Sequence, residues 1–137
     1  MSQDATRLTG AALEFLGERH LATLTTLRPD GSPHVVAIGF TYDVERELVR
    51  VITFAGAIKA GNAARRAGSG NRAAVCQVDG GRWITLEGPV RLSADPDDVA
   101  AGVERYAARY REPAARLDRV VIEIAVDRVL GSATMTR

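Results

Sequence analysis

The sequence predicts one mainly β domain of the α+β class, spanning residues 1–137, with a six-stranded antiparallel barrel and about three flanking helices. Six runs rich in apolar and β-branched residues are joined mostly by short turns, which favours hairpins and therefore antiparallel pairing. Three other stretches carry the residues that typically begin a helix. We expect the barrel to be closed, because closure removes exposed strand edges.

The first half of the chain predicts a helix followed by three strands. The expected bounds are 10–19 for the helix and 21–27, 34–42 and 48–54 for the strands. Thr9 is a favoured helix-capping residue, and Asp30-Gly31 between the first two strands is a strong hairpin signal. The second strand is long and contains Gly39, so we expect it to be buried on both faces or bent at a barrel corner.

The second half predicts two helices and three strands. The helices are expected at 58–66 and 95–110, and the strands at 72–78, 82–92 and 119–130. Asp95 is a good cap for the second of these helices, and Pro96 suits its first position. Alternation in the last strand places Val120, Ile122 and Ile124 on one face.

The composition excludes several classes of protein. With 46% apolar residues, 26% charged residues and a net charge of +1, the chain is unlike a general nucleic-acid binder, which would be strongly basic. No run approaches the roughly 18 apolar residues of a membrane span, and the first residues do not resemble a signal peptide, so we expect a cytoplasmic protein. Cys76 is the single cysteine, which excludes an internal disulfide, and its apolar neighbours predict a buried, inert thiol.

Residues 48–78 form a basic stretch without any acid. The stretch carries a charge of +5, so the rest of the chain carries −4. Its five cations are Arg50, Lys59, Arg65, Arg66 and Arg72. Lys59 is the only lysine, and it lies where the predicted strand leads into the predicted helix. Free backbone N–H groups and cations at a helix start favour an anion, so we interpret this stretch as a phosphate clamp. The alternative is a solvated basic helix on the surface.

Acid–base motifs are scarce in the sequence. The two histidines, His20 and His34, are far apart and lack metal-ligand spacing, so we expect no metal site. There is no Gly-x-Ser-x-Gly elbow, Walker loop or Gly-x-Gly-x-x-Gly motif. An enzyme with an anion clamp and so few catalytic groups needs a cofactor to carry its chemistry.

The chain resembles the split β-barrel flavin and deazaflavin proteins related to pyridoxamine 5′-phosphate oxidase. The matching segments are Leu24-Thr25-Thr26, Asp30-Gly31-Ser32-Pro33-His34, Val51-Ile52-Thr53, Lys59-Ala60-Gly61-Asn62 and Trp83-Ile84-Thr85-Leu86-Glu87-Gly88. A narrower resemblance, to the F420-dependent biliverdin reductases within this family, is carried by residues 14–22, 76–83 and 119–133. The resemblance covers nearly the whole chain and implies a split barrel.

This resemblance implies a homodimer with cofactor sites at its interface and biliverdin or a similar planar acceptor as substrate. Hydride would pass from C5 of reduced coenzyme F420 to the central methine carbon of biliverdin, with His34 as a candidate proton donor. Lys59, Asn62 and Thr53 are expected near the phosphate of the cofactor. Its ring is expected along Val36, Ala37, Ile38 and Gly39, with Gln77 and Trp83 approaching from the partner subunit.

The cofactor can be F420 or FMN, and both alternatives stay open. F420 carries a polyglutamate tail, whose carboxylates Arg65, Arg66 or Arg72 could bind by paired hydrogen bonds. Asn62, Arg65 and Arg66 are expected to share one helix face. FMN has no such tail and needs fewer cations. The remaining alternatives are an FMN-dependent oxidoreductase and a flavin- or tetrapyrrole-binding protein without catalysis.

Overall fold

The computed structural model describes residues 3–65 and 70–137. Its helices are a 3₁₀ helix at Asp4–Arg7 and three α-helices, α1 at Gly10–Gly17, α2 at Ile58–Ala64 and α3 at Pro96–Arg109. Its strands are β1 at Ala22–Leu27, β2 at Pro33–Ile38, β3 at Thr41–Asp43, β4 at Leu48–Phe54, β5 at Arg72–Asp79, β6 at Arg82–Ser93, β7 at Arg119–Ala125 and β8 at Arg128–Gly131. None of the helices in these two described ranges is long and apolar enough to cross a membrane.

The strands form one antiparallel sheet in the order β2-β1-β5-β6-β7-β4-β3, with β8 beside β6. Across the described residues, β2 and β3 at the two ends of this order do not pair with each other. The expectation of a closed barrel was therefore wrong, whereas the mainly β class and the split barrel are confirmed. The sheet curls but stays open, so in residues 3–65 and 70–137 its outermost strands, β2 and β3, each have one unpaired edge.

Two of the six predicted strands are each divided in two. Strand 34–42 becomes β2 and β3 because the chain bends at Gly39, where a Cβ atom would lie 3.0 Å from the ring of Tyr110. The Tyr110 hydroxyl also accepts a hydrogen bond from the backbone N–H of Phe40 (3.2 Å). The bent-strand alternative is thus the correct one, and the bend packs against Tyr110, the residue directly after α3.

Strand 119–130 is interrupted after Ala125, which gives β7 and β8. The backbone N–H of Asp127 donates to the Glu87 carbonyl (3.0 Å), so the interruption is fixed by β6. At this crossing a Cβ atom on Gly88 would lie 1.8 Å from the Ala125 carbonyl oxygen. β6 pairs with β8 up to Glu87 and with β5 up to Pro89, and from Val90 it pairs with β7, so the corner of the barrel lies at Gly88–Pro89.

The helices begin where the sequence predicts. The Thr9 side chain accepts a hydrogen bond from the Ala12 N–H (3.1 Å), and the Asp95 carboxylate accepts one from the Asp97 N–H (2.9 Å). α1 ends at Gly17, two residues before the expected end, and α2 ends at Ala64. The core lies between the two halves of the sheet and α1, and its largest fully buried apolar residues are Phe15, Phe40, Leu24, Ile84, Leu86, Ile122, Ile124 and Met135.

Candidate functional site

The basic stretch places α2 across one end of the barrel, against β1, β6 and β7. The Asn62 side-chain N–H donates to the Thr26 hydroxyl at the end of β1 (3.0 Å), and both residues are buried. The Asn71 side-chain N–H donates to the carbonyls of Asn62 (3.0 Å) and Arg65 (2.6 Å). These bonds satisfy carbonyls at the helix end and join α2 to both β1 and the start of β5.

A cation and a hydroxyl group lie at the two ends of the β4–α2 connection. Lys59 is half-buried in the first turn of α2, and this burial lowers the pKa of its ammonium group. Within the described residues Lys59 makes no hydrogen bond or ion pair, and the buried Thr53 hydroxyl has no hydrogen-bond partner. A charged group without a counter-ion in a partly dry position favours an anionic ligand.

A basic cleft of about 230 Å³ lies beside the end of α2 and the β1–β2 turn, lined by Leu27, Arg28, Pro29, Gly31, Arg65, Gly70 and Asn71. The guanidinium of Arg28 donates to the Pro33 carbonyl, and that of Arg65 donates to the Leu27 carbonyl. Because these acceptors are neutral, neither guanidinium is held by a carboxylate hydrogen bond within the described residues, although the charge of Arg28 also helps to lower the pKa of the nearby Asp30 carboxyl. The cleft adds Arg28, which the sequence did not single out; the usable signal was a cation directly before the Pro-Asp-Gly turn that follows β1.

The predicted helix face of Asn62, Arg65 and Arg66 is not formed as expected. α2 ends at Ala64, and Arg65 has extended backbone dihedral angles of φ −75° and ψ 120°. Its side chain therefore points to the end of β1 instead of continuing a helical row. Arg66 lies outside the described residues.

Two other cations of the basic stretch are neutralised within the protomer. Arg50 is buried beneath α3 and donates to the Asp43 carboxylate (3.0 Å). Arg72 donates twice to the Asp127 carboxylate, at 2.8 and 2.6 Å. Of the cations in the described part of this stretch, Lys59 and Arg65 are the ones without a carboxylate partner.

β2, the strand assigned to the cofactor ring, has two different faces. Val36 packs against the core and Ile38 is buried in it, whereas Ala37 is exposed on the opposite side. His34 lies directly across from Thr26 on the inner side, half-buried, and its Nδ1 atom has no hydrogen-bond partner in the described ranges. Gly39 ends the strand against Tyr110. His34 therefore lies at the same barrel end as Asn62, and Gly39 lies at the other.

Gln77 and Trp83 are not brought together. Gln77 is fully buried; its amide donates to the Phe15 carbonyl (2.9 Å) and accepts a hydrogen bond from Arg109. This interior position is at odds with a Gln77 side chain reaching a cofactor across an interface. Trp83 is 38% exposed on the outside of the sheet.

One broad face of the sheet is not covered by any helix or strand of the described residues, and we call it the outer sheet face. The alternation along β1, β2, β5, β6 and β8 gives it the following residues: Thr23, Thr25, Val35, Ala37, Ala74, Cys76, Val78, Trp83, Thr85 and Leu130. Val35 and Val78 are 56% and 59% exposed, and Cys76 is partly exposed. The prediction of a buried Cys76 was wrong, because the residue lies on the outward side of β5.

Comparisons with known proteins agree with this architecture. The sequence model of the pyridoxamine 5′-phosphate oxidase family matches residues 8–133. The F420H(2)-dependent biliverdin reductase of Mycobacterium tuberculosis is 52% identical over 135 residues, which cover 98% of this chain and 96% of that protein.

Solved structures show the same fold at low sequence identity. A conserved hypothetical protein from Mycobacterium tuberculosis superposes with a TM-score of 0.75 at 20% identity, over 93% of this chain and 88% of that one. An F420 reductase superposes with a TM-score of 0.69 at 23% identity, over 90% of this chain and 98% of that one. The family match covers most of the sequence and the fold agrees with it. The chain therefore belongs to the pyridoxamine 5′-phosphate oxidase family.

Proposed function

We propose that this protein is an F420H2-dependent biliverdin reductase. The observation that carries the proposal is the 52% identity, over nearly the full length of both chains, to the mycobacterial enzyme of that name. The proposed substrate is biliverdin, a small molecule, and we expect no nucleic-acid or membrane partner. A cytoplasmic location stays a prediction from the sequence.

The cations of the site fit an anionic cofactor with a charged tail. Lys59 has no counter-ion in the described residues, and Arg28 and Arg65 bond only neutral oxygen atoms there. Lys59 would hold the phosphate, with Asn62 and Thr53 nearby, and the two arginines would hold tail carboxylates by charge-assisted hydrogen bonds. Three cations that form no hydrogen bond to a carboxylate in the described residues are more than a single phosphate needs.

The protein's contribution to the reaction is binding, orientation and charge neutralisation. Reduced F420, when bound, would supply a hydride from C5 to the central methine carbon of biliverdin, and this hydride together with one proton converts biliverdin to bilirubin. The backbone of Val36–Ala37–Ile38–Gly39 would orient the ring, and Lys59 would fix the other end of the cofactor. His34 is the candidate to hold a proton for the tetrapyrrole.

A homodimer would complete this site. The outer sheet face is apolar or small in character and exposed, as expected of a surface that a second copy covers. Trp83, on that face, is the side chain that we propose to reach the partner's cofactor. Gln77 is left out of this part of the proposal because its amide is engaged inside its own protomer.

The FMN-dependent oxidoreductase is the second candidate, favoured by the description of the family that matches residues 8–133. Binding isotherms for F420 and FMN separate the two. We expect F420 to bind more tightly than FMN at low ionic strength. The reason is that F420 has tail carboxylates for Arg28 and Arg65 to bind, whereas FMN has none. Equal or tighter binding of FMN would favour this second candidate.

The test of the proposed function is a stopped assay that mixes the protein with F420H2 and biliverdin. We expect oxidised F420 and bilirubin to appear in equal amounts, and neither to appear with boiled protein. A panel of other acceptors, such as quinones and nitro compounds, is run in parallel. Oxidation of F420H2 by those acceptors but not by biliverdin would refute the proposed substrate while retaining the cofactor.

A further inference from the structure

A second cleft, of about 360 Å³, lies at the opposite end of β1 from the basic cleft. Its lining comes from the α1–β1 connection and from the end of α3, and consists of Arg19, His20, Leu21, Tyr106, Tyr110 and Arg111. We call it the tyrosine cleft. None of the residues predicted from the sequence to bind cofactor or substrate lies in its lining.

The tyrosine cleft has two cations without a counter-ion. Arg19 and Arg111 make no hydrogen bond or ion pair within residues 3–65 and 70–137. The carboxylates of Glu18 and Asp79 do not neutralise them, because Arg82 donates to Glu18 (2.9 Å) and to Asp79 (2.6 Å). His20 binds the same Glu18 carboxylate (2.9 Å). The carboxylates of Glu18 and Asp79 are thus occupied by Arg82 and His20, and neither of them pairs with Arg19 or Arg111.

Two aromatic rings line the tyrosine cleft, and their planes are tilted by 34° to each other. The rings of Tyr106 and Tyr110 have centroids 4.9 Å apart. The hydroxyl of Tyr110 is fixed by donating to the His20 carbonyl (2.7 Å), whereas that of Tyr106 has no hydrogen-bond partner in the described part of the chain. The ring of Tyr106, its hydroxyl group and two guanidinium groups together favour a planar ligand that carries carboxylates.

The tyrosine cleft lies beside the C-terminal end of β2, the strand that is proposed to hold the cofactor ring. A Cβ atom on Gly39 would lie 3.0 Å from the Tyr110 ring. The basic cleft includes Leu27 and the tyrosine cleft includes Leu21, six residues apart along an extended chain and therefore about 20 Å apart. A cofactor with its tail at the first cleft would extend its ring toward the second.

We propose that the tyrosine cleft binds a carboxylate-bearing planar ring, with Arg19 and Arg111 pairing with the carboxylate and Tyr106 lying against the ring. In the proposed reaction, on which this assignment rests, the ligand is the propionate-bearing end of the tetrapyrrole. Arg19 and Arg111 are then specificity-determining residues, because they distinguish carboxylate substrates from neutral analogues of the same shape.

The experiment compares biliverdin with its dimethyl ester, which lacks the charges but keeps the ring system. Equilibrium binding of each compound is measured by calorimetry without cofactor, and KM and kcat are measured with F420H2. The variants are Arg19→Ala, Arg111→Ala and the double variant. The control is Arg46→Ala, which removes an exposed arginine of the β3–β4 turn outside the cleft. Thermal unfolding of each variant checks its fold.

We expect each single variant to weaken biliverdin binding and to raise KM about threefold, and the double variant about tenfold, with kcat nearly unchanged. The dimethyl ester should bind the wild-type protein and the double variant equally. The wild-type protein could turn over biliverdin while the variants bind and reduce it as well as wild type does, and while the ester binds as well as biliverdin. That result would overturn the assignment of the tyrosine cleft and leave the proposed function intact. Absence of both biliverdin binding and turnover in the wild-type protein would overturn both.

Discussion

At the scale of single residues, the decisive property is whether a charge already has a partner inside the protomer. Several arginines form ion pairs with carboxylates of the same protomer and therefore stabilise the fold. Examples are Arg72 with Asp127 and Arg82 with Glu18. Lys59 differs because its ammonium group is half-buried and has no partner in the described residues. The functional assignment therefore depends on this contrast more than on the number of cations.

Replacing Lys59 should weaken cofactor binding without unfolding the protein. A lost charge-assisted contact costs about 1.5–3 kcal/mol, so Lys59→Ala should bind F420 on the order of 10- to 100-fold more weakly. Removing a partly buried charge without a partner should leave the melting temperature of the cofactor-free protein unchanged or slightly higher. Fluorescence titration measures the affinity, with Arg116→Ala as the control because Arg116 pairs with Asp118. Unchanged affinity in Lys59→Ala would refute the clamp.

The Glu18 carboxyl group offers a direct test of the ion-pair cluster beside the tyrosine cleft. Hydrogen bonds from Arg82, and then from His20, lower the pKa of Glu18 from 4.5 to about 2. Since the folded-state pKa is lowered, these contacts favour the folded protein above the ordinary pKa, and that contribution is lost as the pH falls through about 2. In Arg82→Ala the pKa of Glu18 should rise toward its ordinary value, as measured by NMR titration of the carboxyl carbon. A midpoint that stays near 2 would show that Arg82 is not the cause.

At the scale of elements, local signals predicted the helix starts, and distant contacts determined the strand breaks. Thr9 and Asp95 cap their helices through bonds to residues two or three positions away, which is why the sequence was sufficient there. The bend after β2 depends on Tyr110, which is about seventy positions away, and no local pattern predicts that contact.

The same distinction explains the site. The basic stretch indicated Lys59 because charge is visible in the sequence. The ion pairs of Arg50 and Arg72 depend instead on Asp43 in β3 and on Asp127 between β7 and β8. The direction of Gln77 was ambiguous because its neighbours are apolar on both sides, so the alternation that would place it inside is missing.

The corner of β6 at Gly88 predicts a strong effect of a single methyl group. Gly88→Ala would place a Cβ atom 1.8 Å from the Ala125 carbonyl oxygen, which belongs to backbone and cannot rotate away. We expect a loss of roughly 1–3 kcal/mol in the free energy of unfolding, in line with overpacked interiors. Gly81→Ala is the matched control, because a Cβ atom there meets nothing within 4 Å. Urea denaturation of both variants makes the comparison, and similar stabilities would contradict the close crossing of β6 and β7.

At the scale of the whole molecule, the open sheet explains why a second subunit is expected. The barrel buries its inner side and covers β4 and β7 with α3, but it leaves the outer sheet face exposed. Stable dimers bury about 800 Å² on each partner, and an apolar face across five strands is a suitable surface for such an interface. We therefore expect a dimer in which the outer sheet face of each subunit is covered by the other.

The single cysteine reports on that face. Cys76 lies on the outward side of the central strand β5 and is partly exposed in the protomer, so a dimer formed through the outer sheet face should protect its thiol. We expect slow alkylation of Cys76 at high protein concentration and faster alkylation on dilution, in step with dissociation measured by sedimentation.

Val78→Asp, which places a charge on the same face, should give a monomer with a reactive thiol and weakened F420 binding. Leu117→Asp is the control, since Leu117 is fully exposed away from this face. A protein that sediments as a monomer at micromolar concentration, with a reactive thiol and full F420 affinity, would contradict a site shared between two subunits.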